Sequence, residues 1–145
     1  MIRVFEQHDM DRVLEVWLSA SIKAHAFVDA SFWQSRMDSM RNVYIPSSVT
    51  YVIERQSRVV GFYSLLEHQL AALFVDPDFQ GKGLGKKLLE HARSLRSPLT
   101  LTVYKENTPS CSFYLSQSFT VIKEQIDAET GRVEYLMTSP DSHSC

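Results

Sequence analysis

Apolar residues in the first forty positions recur at the spacing of α-helices. A helix beginning after Asp9 would bury one side, formed by Met10, Val13, Leu14, Trp17 and Leu18. The carboxylate of Asp9 is suited to accept the unpaired backbone N–H groups at the start of that helix. A second helix is predicted after Asp29, which is suited to cap it in the same way, and ends before Pro46, because proline cannot continue a helix. A short strand over residues 2–6 precedes both helices.

The pattern changes to β-strands after residue 50. Residues 50–54 and 59–66 are rich in β-branched and aromatic side chains and flank a polar turn, which predicts a hairpin. The wholly apolar run 70–75 predicts a central strand that is covered on both faces. The remaining elements are a helix over 84–95, a strand over 99–104, a helix from Pro109, and a final hairpin over 119–126 and 133–137.

This order of elements predicts an α+β fold, in which a mixed central sheet carries helices on both faces. The chain shows no internal repeat and no break in composition, so residues 1–138 are expected to form a single domain. Residues 139–145 are small and polar, and we expect them to form a disordered tail.

Charge and cysteine content exclude several classes of function. The formal net charge of -2 argues against nucleic acid or an anionic membrane as a partner. No apolar run approaches the roughly 20 residues that span a bilayer, and no signal peptide is evident. The two cysteines, Cys111 and Cys145, do not suggest a disulfide framework, so a cytoplasmic protein is expected. No cluster has the spacing of metal ligands, so no metal is predicted.

A glycine-rich loop lies between the strand at 70–75 and the helix at 84–95. Its residues are Gln80, Gly81, Lys82, Gly83, Leu84, Gly85 and Lys86. Such a loop binds phosphate, because helix N-terminal N–H groups attract anions and glycine lets the backbone approach closely. A Walker A loop is excluded, because Gln80 and Lys87 replace its first glycine and its hydroxyl residue. The dinucleotide-binding pattern also fails, because Lys86 stands where its last glycine belongs.

The pattern Gln80-x-x-Gly83-x-Gly85 instead resembles motif A of the GNAT superfamily of N-acetyltransferases. The resemblance implies a mostly antiparallel GNAT fold and places the pyrophosphate of acetyl-CoA at the loop, over residues 80–86. It also implies that two parallel strands part to admit the pantetheine arm. The backbone of Phe74 and Val75 is then expected to bond the cofactor as a neighbouring strand would.

A second match follows downstream. Asn107, Ser110, the Phe113-Tyr114 pair and Phe119 are similar to motif B of the same superfamily. The resemblance implies that Asn107 and Ser110 lie along the pantetheine arm, and that Tyr114 stands beside the departing thiolate. A tyrosine hydroxyl can donate the proton that this thiolate needs. Ser118 replaces the usual helix-ending glycine, where a left-handed conformation costs serine more.

The amine acceptor must lose a proton before it attacks the thioester. Glu67 and His68, at the start of the strand over 70–75, are candidates for the base, or else they decorate an exposed turn. His25 and Phe27 fall where this superfamily shapes its acceptor pocket, although His25 also suits the end of a helix. Small bacterial GNAT enzymes with a similar His-x-Phe segment include some that acetylate protein lysines.

The resemblance therefore implies an acetyl-CoA-dependent N-acetyltransferase that acts by direct, sequential transfer to a primary amine. The acceptor is a protein lysine, an N-terminus or a small amine. A non-catalytic acyl-CoA sensor on the same fold is the alternative, and a nucleotide-binding module that shares only the glycine loop is a second one. Both a monomer and a homodimer are compatible with the sequence.

Overall fold

Seven strands form one sheet in a computed structural model that describes residues 1–140. Their order across the sheet is β1-β2-β3-β4-β5-β7-β6. The strands are β1 (Ile2–Val4), β2 (Val49–Arg55), β3 (Arg58–Leu66), β4 (Gln69–Val75), β5 (Thr100–Tyr104), β6 (Thr120–Ile126) and β7 (Val133–Thr138). Every neighbouring pair is antiparallel except β4 and β5, which are parallel. The predicted mixed, mostly antiparallel sheet is thus confirmed.

Helices cover both faces of the sheet, as predicted. They are α1 (Met10–Ala24), α2 (Ala30–Ser35), α3 (Met37–Ser39), α4 (Leu84–Leu95) and α5 (Thr108–Ser116). The first three pack on one side, called the α1 face, against residues such as Val52 and Phe62. Helices α4 and α5 pack on the other side, called the α4 face, against residues such as Leu70 and Leu101. No helix among residues 1–140 has the length and apolar content needed to cross a membrane.

Helix α4 has the predicted bounds and the predicted buried side. Leu84, Leu88, Leu89 and Ala92 are all buried. Their spacing places them along a single stripe, which packs on the sheet, while most of the intervening residues stay exposed. Because α4 begins at the glycine loop, this packing anchors the loop against the end of β4.

The two aspartates predicted to cap helices behave differently. Asp29 caps α2 as expected, because its carboxylate accepts the N–H of Ser31 at 2.9 Å. Asp9 precedes α1 but makes no cap bond to it. Its carboxylate accepts the N–H of Glu6 at 2.8 Å and pairs with the guanidinium of Arg3 at 2.8 and 2.9 Å. A nearby arginine therefore competes successfully for this buried carboxylate.

Strand β4 is not covered on both faces, which corrects the sequence-based expectation. Its pairing with β5 is confined to Gln69 and Thr100, and beyond that point the two strands part. Ala71 is consequently exposed, and residues 72–74 are only half-buried. An apolar run of this length predicts burial, but here part of the strand faces a cavity instead.

The described chain continues past the predicted domain boundary at residue 138. Ser139 is buried and makes two hydrogen bonds with Leu99. Its N–H donates to the Leu99 carbonyl at 2.9 Å, and its hydroxyl oxygen accepts the Leu99 N–H at 2.8 Å. Its backbone thus extends the pairing of β7 with the start of β5. Residues 141–145 of the predicted tail lie outside the described residues.

Candidate active site

The parting of β4 and β5 opens a cavity of about 750 Å³. This volume lies within the usual range for small-molecule sites. The cavity is bounded by the end of α1, the glycine loop, the start of α5 and the loop between β6 and β7. Because the facing edges of β4 and β5 are unpaired along most of their length, their backbone polar groups are available to an extended ligand.

The glycine loop supplies the anion-binding end of the cavity. Gly81 and Gly83 have φ values of +79° and +80°, which side-chain-bearing residues rarely adopt. A Cβ at either position would meet nothing within 4 Å, so the space above both is open. Gly83 begins α4 without a side-chain cap, so the first-turn N–H groups have no side-chain acceptor there. This geometry fits a pyrophosphate.

Most of the predicted loop residues line the cavity, with one exception. Gln80, Gly81, Gly83, Leu84, Gly85 and Lys86 do so. Lys82 does not, and its Nζ lies 5.9 Å from the ring centroid of Phe79 instead. Phe79 itself lines the cavity, so Lys82 lies next to the lining without belonging to it.

Gln80 is held by two neighbours. Its Nε2 donates to the carbonyl of Val75 at 3.0 Å, and its Oε1 accepts from Nζ of Lys23 at 3.3 Å. The side chain therefore ties the loop to the end of β4 and to α1. Phe74 and Val75 line the cavity, and the Val75 carbonyl is already engaged by this bond.

The start of α5 forms the opposite wall. Asn107 is buried and caps the helix, because its Oδ1 accepts the N–H of Ser110 at 3.3 Å. Its Nδ2 lies 3.4 Å from Nε2 of His25. Both Asn107 and Ser110 line the cavity.

Tyr114 brings a hydroxyl group to the same cavity. The residue is buried, and burial alone raises the pKa of its phenol far above the usual value. No hydrogen bond joins this hydroxyl to another residue between 1 and 140, so it is free to meet a ligand. Ser118 adopts the left-handed conformation that glycine would take, with φ of +72°, and the N–H of Phe119 still bonds the Tyr114 carbonyl at 3.0 Å. The end of α5 is thus preserved.

His25 and Phe27 meet at the other side of the cavity. His25 ends α1, lines the cavity and is buried. Burial lowers its pKa to about 4, so it is neutral at pH 7. Its ring centroid lies 5.7 Å from that of Phe27, 4.9 Å from Trp33 and 5.1 Å from Tyr104. Phe27 belongs to this aromatic group but does not itself line the cavity.

Glu67 and His68 are not brought to this site. Both are exposed in the turn between β3 and β4, where Glu67 has φ of +55°. They line a separate depression of about 300 Å³ together with Arg96, whose side chain donates to the Glu67 carbonyl. The glycine loop follows the opposite end of β4, so these side chains lie at the wrong end of the strand to act as the base.

Sequence reasoning missed several further residues that line the cavity. Tyr104 lines the cavity, and its hydroxyl donates to Oδ2 of Asp127 at 2.6 Å. Glu129, Glu134 and Lys23 also line it. These residues come from the ends of α1 and β5 and from the β6–β7 hairpin, and no local pattern relates them. Among residues 1–140, no group of three or more acidic, histidine or cysteine side chains is arranged to hold a metal ion.

Comparison with known proteins agrees with the geometry. Residues 46–121 match the family model of the acetyltransferase (GNAT) domain. A peptidyl-lysine N-acetyltransferase of Escherichia coli, YiaC, is 30% identical over 141 residues, which cover 97% of both chains. The apo structure of YjaB from Escherichia coli aligns with a TM-score of 0.85 at 26% identity, over 98% of each chain.

A further solved structure shares the fold and contains the expected ligand. The PaiA N-acetyltransferase of Thermoplasma acidophilum, in complex with coenzyme A, aligns with a TM-score of 0.79 at 20% identity. The alignment covers 96% of this chain and 97% of that one. Family model, relative and fold thus agree with the phosphate loop and the parted strands. This chain belongs to the GNAT family of acetyl-CoA-dependent N-acetyltransferases.

Proposed function

We propose that this acetyltransferase transfers the acetyl group directly to the side-chain amine of lysine in a protein, without an acyl-enzyme. The name and the full-length match of YiaC support a lysine acceptor. Carboxylates and aromatic rings on the acceptor side of the cavity, including Glu134 and Trp33, suit an alkylammonium group on an apolar stem. An N-terminal amine and a small amine are the competing acceptors.

The residues present fit the co-substrate. The N–H groups at Gly81, Gly83 and the first turn of α4 would hold the pyrophosphate, and Lys86 adds a positive charge at the rim. The unpaired edge of β4 near Phe74 would bond the extended arm, and Asn107 and Ser110 would flank it from α5. Bound acetyl-CoA supplies an activated thioester, and the chain's own residues orient it and manage protons.

Tyr114 carries the proposal for the chemical step. Its free hydroxyl lines the cavity, and its raised pKa keeps it protonated, so that it can hydrogen-bond the sulfur as negative charge develops there. The energy of thioester cleavage, not the acidity of the phenol, then drives the proton transfer. The amine nitrogen forms the new C–N bond, the C–S bond breaks, and Tyr114 gives its proton to the sulfur. The proton released by the amide nitrogen, through solvent, restores the tyrosine.

Cys111 supports direct transfer rather than a covalent intermediate. Its Sγ lies 3.5 Å from the carbonyl of Tyr104, and the residue does not line the cavity. Burial raises the pKa of its thiol, which disfavours the nucleophilic thiolate. Within residues 1–140 it is the only cysteine, so no other thiol there can carry the acetyl group.

The test of this proposal is the variant Tyr114→Phe. We expect kcat for a lysine peptide to fall by about 100-fold or more, the range for general acid catalysis, while stabilisation by acetyl-CoA stays the same. Tyr135→Phe, on β7 and outside the cavity lining, is the control and should behave like the wild type. An unchanged kcat in Tyr114→Phe would contradict the assigned role.

Acceptor identity is tested separately, with one lysine peptide blocked at its N-terminus, one unblocked peptide lacking lysine, and spermidine. The proposal expects the highest kcat/KM for the blocked lysine peptide. A wild-type enzyme that binds acetyl-CoA but acetylates none of the three would favour the non-catalytic sensor.

A further inference from the structure

Three carboxylates line the cavity, and two of them already have partners within the protein. Asp127 accepts the hydroxyl of Tyr104 at 2.6 Å and that of Thr130 at 2.7 Å. These bonds hold the pKa of its carboxyl below the usual value, although burial opposes them. Glu129 lies 3.6 Å from the guanidinium of Arg36. Asp127 is thus stabilised by hydrogen bonds from two neutral hydroxyls, and Glu129 by an ion pair.

Glu134 is the third carboxylate, and its charge is not balanced. Its Oε2 accepts a bond from the neutral amide of Gln125 at 2.6 Å, and its Oε1 accepts none. No lysine or arginine among residues 1–140 lies within ion-pair distance of it. The side chain is half-buried and lines the cavity. A half-buried, unpaired carboxylate favours a cationic partner.

The position of Glu134 in the sheet sets the direction in which it points. It stands directly opposite Tyr104 in the antiparallel pairing of β5 and β7, so both side chains project from the same face. Tyr104 contacts His25 and Phe27 on the α1 face. The negative charge of Glu134 also contributes to the raised pKa of the Tyr104 phenol, as expected if the two are close.

Tyr114 belongs to the opposite layer. It packs among the buried residues of the α4 face, while Tyr104 packs with those of the α1 face. The cavity connects the two layers through the gap between β4 and β5. An acceptor that enters from the α1 face therefore passes Glu134 before it reaches a thioester held beside Tyr114.

We propose that Glu134 binds the ammonium group of the acceptor and takes the proton that it must lose. This inference rests on the proposed lysine acceptor. The N–H bond to the transferred proton breaks, and that proton becomes bonded to the carboxylate oxygen. The nitrogen keeps the electron pair and uses it for the C–N bond, while the proton on Glu134 passes to solvent. Glu134 thereby replaces Glu67 and His68 as the acceptor-side base.

The experiment compares wild type with Glu134→Gln, which removes the charge but keeps the shape and the contact with Gln125. The probe is the blocked lysine peptide at saturating acetyl-CoA, with kcat/KM measured from about pH 7 to about pH 10. We expect a loss of roughly 10- to 100-fold at pH 7, the range for a bond to a charged group. The loss should shrink towards pH 10, because the free lysine amine, with a pKa near 10.4, is then partly neutral.

Three further variants separate a specific role from a general effect of charge. Glu124 lies on β6 in an exposed ion pair with Lys105, so the kcat/KM of Glu124→Gln should match that of the wild type. Glu129→Gln removes a charge from the same cavity and should cost at least about fivefold less than Glu134→Gln, since Arg36 already balances that charge. Glu134→Asp, which keeps the carboxylate, should recover part of the activity. The KM for acetyl-CoA and the melting temperature should be unchanged in Glu134→Gln.

Several results would overturn the inference. They are a Glu134→Gln enzyme as active as wild type, a defect of equal size at every pH, or an equal defect in Glu129→Gln. In each of these cases wild type still acetylates lysine, so the proposed function survives. A wild type that binds acetyl-CoA but ignores the lysine peptide overturns the proposed acceptor, and this inference with it.

Discussion

Replacing Gly83 with alanine should weaken acetyl-CoA binding far more than it destabilises the protein. Gly83 has φ of +80°, where a Cβ costs about 1–2 kcal/mol of backbone strain. Loss of glycine from the unfolded chain offsets about 0.4–1 kcal/mol of this. Because the added Cβ would meet nothing within 4 Å, no clash enlarges the cost. The net loss is about 1 kcal/mol, which lowers the melting temperature by a few degrees.

The effect on binding is larger, because the open space above Gly83 is the space that the pyrophosphate would occupy. A Cβ there would separate the phosphate from the loop N–H groups, and each bond to a charged group contributes about 1.5–3 kcal/mol. Loss of about 3 kcal/mol weakens affinity by somewhat more than 100-fold. At 100 times the wild-type Kd, acetyl-CoA stabilises the wild type by about 2.7 kcal/mol but Gly83→Ala by only about 0.3 kcal/mol.

Gly131 provides the matched control. It also has a positive φ, +73°, and a Cβ added there would meet nothing within 4 Å, but it lies in the β6–β7 hairpin and does not line the cavity. Gly131→Ala should therefore lose similar stability and keep full stabilisation by acetyl-CoA. Thermal melts of both variants, with and without acetyl-CoA, give both quantities. Equal ligand-induced stabilisation in Gly83→Ala and Gly131→Ala would refute the assignment of the loop as the pyrophosphate site.

Two further predictions concern the acceptor side. Burial lowers the pKa of His25 to about 4 in the folded protein, from about 6.5 in the unfolded chain. Between these two pH values the unfolded state binds more protons than the folded state, so the free energy of unfolding should fall as the pH decreases through this range. Because of His25, the free energy of unfolding of the wild type, measured in urea, should be about 2 kcal/mol lower at pH 5 than at pH 7. An equal decrease between pH 7 and pH 5 in His25→Phe would contradict this prediction. Arg132 donates to the Phe27 carbonyl at 2.7 Å and pairs with Glu106 at 3.1 Å, linking the β6–β7 loop to the segment after α1. Arg132→Ala should raise the KM for the lysine peptide several-fold without changing that for acetyl-CoA, whereas Lys105→Ala should change neither.

The glycine loop and the strand and helix that flank it could be predicted from the sequence, because these three segments are contiguous. An apolar strand, a glycine loop and the stripe Leu84, Leu88, Leu89 and Ala92 follow one another within 24 residues from Gln69 to Ala92. Each predicts its own local structure, and the packing of α4 then places the loop. At position 118, where motif B usually has glycine, the backbone keeps the left-handed conformation although the residue is serine.

The wrong predictions about the burial of β4 and about Glu67 and His68 have a common physical origin in how β4 and β5 are paired. An apolar run predicts a buried strand, but the gap between β4 and β5 depends on a pairing that stops after Gln69 and Thr100. That gap decides which end of β4 faces the ligand, and so it excludes Glu67 and His68. The Asp9 carboxylate does not cap α1 for a separate reason, because it is paired with Arg3 on β1.

The acceptor side is assembled from segments far apart in the chain, and this has a consequence for specificity. Its rim joins the end of α1 to the β6–β7 hairpin through Arg132, whose bond to Phe27 spans 105 residues of sequence. Glu134 and Tyr104 face this rim from strands that contribute nothing to the glycine loop. Substitutions there should therefore change which amine is accepted while the strand, loop and helix that we propose to hold acetyl-CoA stay intact. The charge of Glu134 and the link through Arg132 are accordingly the features on which acceptor choice should depend most.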